Sequence, residues 1–438
     1  MTNYHQTEAF IPYSRTELIH LCLSDGHLTD NEAAQFREFC EILSAYYHFK
    51  LHHILERLKN NFAPFNPENE PDSIWDLSTL QKNQMERQLI EDFQQILEQA
   101  NYIPISQERL EEALKEQTLI ELKTEVDFNE FEHLVCYGRG DVYKILTVKK
   151  LFKKVKKQVA AFDTVVLLIK FREDRITQKR KKFLEKYFEL DFNKIYVYLY
   201  KHLSKYDLEF IFPNIKMSMT WKDRLLFGVP AIGASISMIY KIIPQVLLII
   251  GVFFVVTMGS SPIKQIKITP EQTKEIMPIL IAMFSLVLTC GGFAFKQYSD
   301  YKNKQIKFQK KVAETLFFRK MASQAGVFQY LIDAAEEEEC KEMILVYYHL
   351  LTSAIPLTPQ QLDQQIEEWM RTKNNKSINF NIDKTLENLQ AIRGKLAHQE
   401  EIPLISFDSQ GFCYALSLDE AKQVIDYVWD NAFKWNLN

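Results

Sequence analysis

The side chains best placed to do chemistry stand in "HFKLHH", where His48 and His52 are four residues apart, one turn of a helix. Two imidazoles at that spacing can grip zinc from one helix face, and Glu41 and Glu56 on nearby turns would add a carboxylate. No third ligand follows from the spacing, and the His-Glu-x-x-His pattern of zinc hydrolases is absent. His48 and His52 are therefore weak metal candidates, and the expectation is a chain with no metal and no cofactor.

Other chemistry-bearing stretches read more plainly. "YGRGD" has only Gly138 and Gly140, whereas a phosphate loop needs GxxxxGK[ST] and a following helix. The pair predicts a hairpin turn, with Arg139 and Asp141 as exposed or paired charges. "AAEEEECKE" places Glu336 to Glu339 in a row, read as a solvated helix face whose glutamates support Lys341. Tyr196, Tyr198 and Tyr200 alternate with Ile195, Val197 and Leu199, a stripe suited to packing beneath a helix. With no triad, metal set or phosphate loop, an enzyme is not expected.

The sharpest electrostatic feature is "VKKLFKKVKKQ". Lys149, Lys150, Lys153, Lys154, Lys156 and Lys157 interleave with apolar residues and meet no acid before Asp163. Near anionic headgroups each such lysine contributes ~1 kcal/mol. On an exposed strand edge the same lysines deter aggregation. A net charge of -4 and a pI near 6.3 speak against bulk nucleic-acid binding, so nucleic acid is not an expected partner.

The elements that carry these residues fall into several parts. At 438 residues the chain has room for two to four domains, and six scattered cysteines without a CxxC suggest reduced thiols. Two uncharged runs, Ile242 to Ile263 and Ile276 to Phe295, are each long enough to cross a ~30 Å hydrocarbon layer. An apolar stretch over 225–241 reads as an entry helix. Lys296 to Lys320 holds eight basic and two acidic residues, which keeps that flank on the cytoplasmic side. Lys241, Lys296, Lys302 and Lys304 would then join the lysine run at the membrane surface. The first residues, "MTNYHQTEAFIPYSR", lack the pattern of a secretory signal or transit peptide.

The expected division is a helical domain over 1–124, a small α+β domain over 125–220 and a membrane region over 221–295. Helices over 296–355 and a winged-helix-like domain over 356–438 complete it. The expected fold class is mainly α with a small α+β domain, a two-span transmembrane helical hairpin and a winged-helix-like C-terminal module. The module is read from helix-helix-helix-hairpin order. Its third helix, "NIDKTLENLQAI", carries Asp383, Glu387 and the single Lys384, a charge that repels phosphate and suits protein contact.

Several segments together resemble a domain-of-unknown-function family that includes transmembrane protein 143, with plant and cyanobacterial members. They include "FIPYSRTELIHLCL", "KHLSKYDLEFIFPNIKMSMTWKDRLLFGVPA", "TLFFRKMASQAGVFQYLIDAAEEEECKEMILVYYHLL" and "INFNIDKTLENLQAI". The resemblance implies a two-span membrane protein without an assigned activity, and it transfers no catalytic residue. Without a transit peptide, the expected location is a bacterial inner (plasma or thylakoid) membrane with both termini cytoplasmic, the alternative being an organelle membrane. The expected function is a membrane-anchored scaffold or regulatory protein, with the lipid bilayer, its anionic headgroups and a protein partner or second copy as partners. The alternative is an oligomeric small channel or transporter.

Overall fold

The computed structural model describes residues 10–69, 77–115, 123–150, 153–188, 190–218, 318–374, 382–396 and 400–431. It also describes 281, 284, 288, 291–292, 295–296, 298–307, 309–310 and 312–313. Two compact units result. The first joins Met1–Glu111, Phe128–Leu208 and Phe317–Asn438, and the second joins Glu112–Asp127 and Glu209–Leu316.

Local chemistry starts the helices of the first unit. Ser14, Thr29 and Ser78 each accept from the backbone N–H three residues on, while Glu17, Glu32 and Gln81 reach back to the cap. These caps open α1 (Arg15–Ser24), α2 (Asp30–Phe62) and α3 (Thr79–Gln99). A short strand β1 (Ile103–Pro104) and α4 (Gln107–Lys115) follow. Next come β2 (Lys123–Glu125), β3 (Phe131–Lys150), β4 (Lys153–Phe171), α5 (Gln178–Phe188), β5 (Ile195–Ser204) and β6 (Lys216–Ser218).

Beyond them lie β7 (Lys320–Ser323), α6 (Ala325–Thr352), α7 (Pro359–Asn374) and α8 (Ile382–Ala391). The chain closes with β8 (Arg393–Lys395), β9 (Glu401–Pro403), β10 (Ile405–Phe407), β11 (Cys413–Ala415) and α9 (Leu418–Asn431).

The main sheet is antiparallel throughout, in the order β1-β3-β4-β5-β7. Its buried face, with Val166, Leu168, Val197 and Leu199, packs with the second half of α2, with α3 and with the start of α6. A second core gathers α1, the first half of α2, the end of α6, and α7 to α9. The second unit has its own small sheet, β2 paired with β6, and a cluster of Phe210, Ile215, Tyr301 and Val312.

The fold class expected from the sequence is corrected here. Among the described residues no helix is long and apolar enough to cross a membrane. The two longest, α2 and α6, have the length, but charges run through α2 and the middle of α6 holds Glu336 to Glu339, Lys341 and Glu342. Neither can lie in hydrocarbon. The described architecture is therefore helices on a five-stranded antiparallel sheet rather than a transmembrane hairpin. The first expected span, 242–263, lies outside the described residues, as does the entry helix over 225–241. Most of 276–295 does too, and in it Ile281, Phe284, Leu288 and Phe295 are helical and exposed. The expected inner-membrane location, and the organelle alternative, rested on those spans, and no helix among the described residues supplies one.

Two local readings also change. Gly138 and Gly140 make no hairpin turn, because β3 runs straight through them, with Arg139 opposite Thr164 and Asp141 opposite Phe162. Gly140 keeps φ +71°, and Phe162 leaves no room for a Cβ at Gly138. Residues 320–323, expected to be helical, form β7 on the edge of β5. Gln324 then turns the chain into α6 with φ 54°, its side chain accepting from the Val197 N–H.

Candidate functional site

Helix α6 carries the unusual chemistry of this fold. Residues 327–335 pack in the sheet core and residues 340–348 in the helical core, so 336–342 fall at the junction of the two. The solvated face read from "AAEEEECKE" is wrong. Glu338, Glu339 and Lys341 are at most 3% exposed, and Glu342 is 7% exposed.

Buried charges persist only when paired or hydrogen-bonded, and here partners arrive from five other parts of the chain. Arg15, the first residue of α1, places Nη1 3.2 Å from Glu336, and its N–H donates to Glu337 at 2.6 Å. Arg139 on β3 reaches Glu338 at 2.5 Å. Lys341 Nζ lies 2.8 Å from that same carboxylate and donates to the carbonyls of Ile11 and Tyr13, at 2.8 and 3.1 Å. Asn101, just past α3, donates to Glu342 at 2.9 Å, and Thr385 of α8 donates to its other oxygen at 3.2 Å. Together these bonds tie α1, α3, β3, α8 and the N-terminal segment to about two turns of α6.

Two carboxyls in this belt are less well matched. Neither oxygen of Glu339 has a hydrogen-bond partner, and Lys384 Nζ lies 3.6 Å away. Burial raises the Glu339 pKa, with Lys384 and Lys50 opposing. Burial likewise pushes Glu342 up to about 7, against the hydrogen bond from Asn101 and the charge of Lys384. Further along α6, His349 is buried with Nε2 unpartnered, and burial pulls its pKa down to about 4.

The outer end of the belt opens into a cavity of about 470 Å³ that brings His48 and His52 together with Arg15, Glu336 and Trp429. His48 Nδ1 sits 2.8 Å from Glu336. Ser44, also on the wall, donates its hydroxyl to the Cys40 carbonyl at 2.7 Å, one turn back in its own helix. Burial raises the thiol of neighbouring Cys340 to about 12, so it is protonated at neutral pH. The cavity therefore presents no activated nucleophile.

Among the described residues, the one set of three metal-capable groups that converges is Glu86, Glu132 and His133, not the histidines of α2. There Lys170 Nζ lies 2.6 Å from Glu86 and 3.0 Å from Glu132, while His133 Nε2 lies 2.9 Å from Glu86. Burial opposes ionisation of Glu86, but the bonds from His133 and Lys170 outweigh it and hold the carboxyl below its usual range. The ammonium of Lys170 already stands where a cation would.

The remaining candidates scatter. Lys149, Lys150, Lys153, Lys154, Lys156 and Lys157 lie at the far ends of β3 and β4. Lys241 lies outside the described residues. Lys296 and Lys302 are exposed and Lys304 half-buried on helical residues of the second unit.

Arg15, Asn101 and Thr385 escaped the sequence reading, and Arg139 was read as an exposed or paired charge without its partner, since each is at least 43 residues from the residue it meets. One signal was available. "VFQYLIDAA" and "MILVYYHLL" flank the glutamates with apolar residues on every side, and a helix apolar all round is buried.

No solved structure matches the chain. Residues 162–326, from β4 through the second unit to the start of α6, match the family model described as "Protein of unknown function (DUF3754)", a description that carries no enzyme name.

Proposed function

We propose that this chain is a non-enzymatic scaffold or regulatory protein whose C-terminal module binds a protein partner. The observation that carries the reading is the β10–β11 hairpin. It presents Phe407 and Tyr414, 38% and 43% exposed, at a tip braced from within. Asp408 accepts from the N–H groups of Gln410 and Phe412, both at 2.9 Å, and from the Tyr414 hydroxyl at 3.2 Å. Tyr414, held by Asp408, loses little entropy on binding, which is the property of an interface anchor.

The module's helix order supports the winged-helix likeness, with Leu357, between α6 and α7, bridging to Cys413 of the hairpin. Asp383 and Glu387 are exposed on α8, the position of a recognition helix. That charge favours a basic protein surface over a phosphate backbone. The likeness to the family that includes transmembrane protein 143 belongs to the same proposal. What supports its reach beyond 162–326 is that Ile11, Leu18 and Leu386, from quoted segments outside that range, share one core with α6.

The test is a photo-crosslinking residue at position 414, compared with one at the exposed Leu80 in α3. A discrete adduct seen only from 414, whose purified partner then binds at least tenfold more weakly to Phe407→Asp, supports the proposal. Identical adducts from both positions, or unchanged affinity for Phe407→Asp, refute it.

A further inference from the structure

β3 and β4 continue well past the main sheet. β5 pairs with β4 only from Ala161 onward and β1 meets β3 only at Tyr137 and Gly138. From Val142 to Lys150 on one strand and Lys153 to Ala161 on the other, the two pair in unbroken register with each other. At 3.4 Å per residue this two-stranded ribbon runs about 30 Å.

Its far end is crowded with one charge. Residues 141–160 contain seven lysines, no arginine and the single acid Asp141 at the base. The register sets Lys150 opposite Lys153 and Lys149 opposite Lys154, with Thr147 opposite Lys156 and Leu146 opposite Lys157. Like charges directly opposite destabilise a strand pair. The arrangement thus weakens the ribbon in isolation, and an anionic surface beside it would offset that repulsion.

The kind of anion follows from the neighbours. Opposite residues share a face, and the Lys150–Lys153 face also holds Leu146, Val148, Val155 and Lys157. Apolar residues set among lysines suit the headgroup boundary of a bilayer, where both burial and charge contribute. Base reading in nucleic acid relies on arginine or on asparagine and glutamine, and the ribbon has only Gln158 of these.

We infer that the β3–β4 ribbon is a docking arm for an anionic lipid surface, with Lys149, Lys150, Lys153, Lys154, Lys156 and Lys157 as its headgroup contacts. The contact is peripheral and does not depend on the partner reading of the C-terminal module.

The experiment is co-sedimentation of the full chain with phosphatidylcholine vesicles, with and without about 30% phosphatidylglycerol, at low and high salt. The expected result is binding only to the anionic vesicles, weakened by salt. The combined substitution Lys149→Gln, Lys150→Gln, Lys153→Gln and Lys154→Gln should cut affinity about a hundredfold, at ~1 kcal/mol per lysine with some overlap. Acetylation footprinting of the unsubstituted chain reads the same contact without relying on the variant to fold, and vesicles should protect lysines 149–157. Equal binding to both vesicle types, or no protection of these lysines, overturns the inference. So does duplex DNA or polyglutamate displacing the chain from vesicles at equal charge, which would reassign the arm to another polyanion.

Discussion

Replacing Glu342 by glutamine should make the protein more stable at alkaline pH and leave it nearly unchanged in acid. The carboxyl sits between Asn101 and Thr385 in the buried belt of α6, and its pKa there is about 7. In the unfolded chain it returns to about 4.3. Between those values the native state holds a proton that the unfolded state has lost, so stability falls as pH rises across that window. The contribution is complete below about pH 4 and gone by about pH 7. At 1.36 kcal/mol per unit the change approaches about 4 kcal/mol. Glutamine mimics the protonated acid: its oxygen still accepts from Asn101, and its amide can donate to the Thr385 hydroxyl.

His349 works in the opposite sense. Its native pKa is about 4 and its unfolded value about 6.5, so the unfolded state binds the extra proton and stability falls as pH drops from about 6.5 to about 4. In the unsubstituted protein the two slopes nearly cancel between about pH 4.3 and 6.5, and a flat profile results. Glu342→Gln uncovers the histidine slope. Urea unfolding at half-unit steps from pH 4.5 to 8.5, followed by tryptophan fluorescence, reads both effects. A stability difference between variant and parent that stays constant over this range would refute the titration of Glu342.

Lys341→Met should cost about 3 kcal/mol or more in the same assay, because it leaves Glu338 with one cation fewer and strips donors from the Ile11 and Tyr13 carbonyls. Gly394→Ala should lower the thermal midpoint by several degrees, as a Cβ there would stand 2.4 Å from the Val424 carbonyl oxygen of α9, a backbone atom that cannot step aside. The buried thiols of Cys22, Cys40, Cys136 and Cys340 should resist a water-soluble disulfide reagent in the native protein and react in urea, since burial raises the pKa of each. Rapid labelling of the native chain would show an opening that the fold does not predict.

What the sequence made legible was local. The Thr29 hydroxyl on Glu32 and the Ser204 hydroxyl 2.8 Å from Asp207 are contacts between a hydroxyl and a carboxylate three residues apart, a spacing visible in the sequence. In the tyrosine stripe of β5, Tyr196 and Tyr200 are buried, but the residues that pack beneath helices are the alternating Ile195, Val197 and Leu199. The lysine run is on strands, as its interleaving implied, although its face-to-face register needed the pairing of β3 with β4. What stayed hidden was non-local. A glutamate run reads as solvated until one knows that Arg139, about 200 residues earlier, crosses the sheet to meet it. β7 is four residues with no apolar alternation and exists because the edge of β5 offers hydrogen bonds. His48 and His52 did come to one cavity, but Glu336, not a metal ligand set, occupies the nearer imidazole.

The belt also bears on why two cores stay in one arrangement. An apolar junction would let α6 slide or rotate between the sheet and the helical layer at small cost, since volume-conserving repacking is tolerated in cores. Glu338 permits no such freedom. It must meet Arg139 from the sheet, Lys341 from its own helix and the Ile11 N–H together, and a shift by one residue would leave at least one buried charge alone. Replacing these three charges with well-packed apolar residues would then cost less than removing one partner alone, because no buried charge is left unpaired, yet it would loosen the register of α6. Substituting Arg139→Met, Glu338→Leu and Lys341→Met together and following hydrogen exchange along α6 separates the two contributions. A smaller loss of stability than Lys341→Met alone, with faster exchange over 336–342, is the expected outcome. Unchanged exchange would mean that apolar packing alone sets the register.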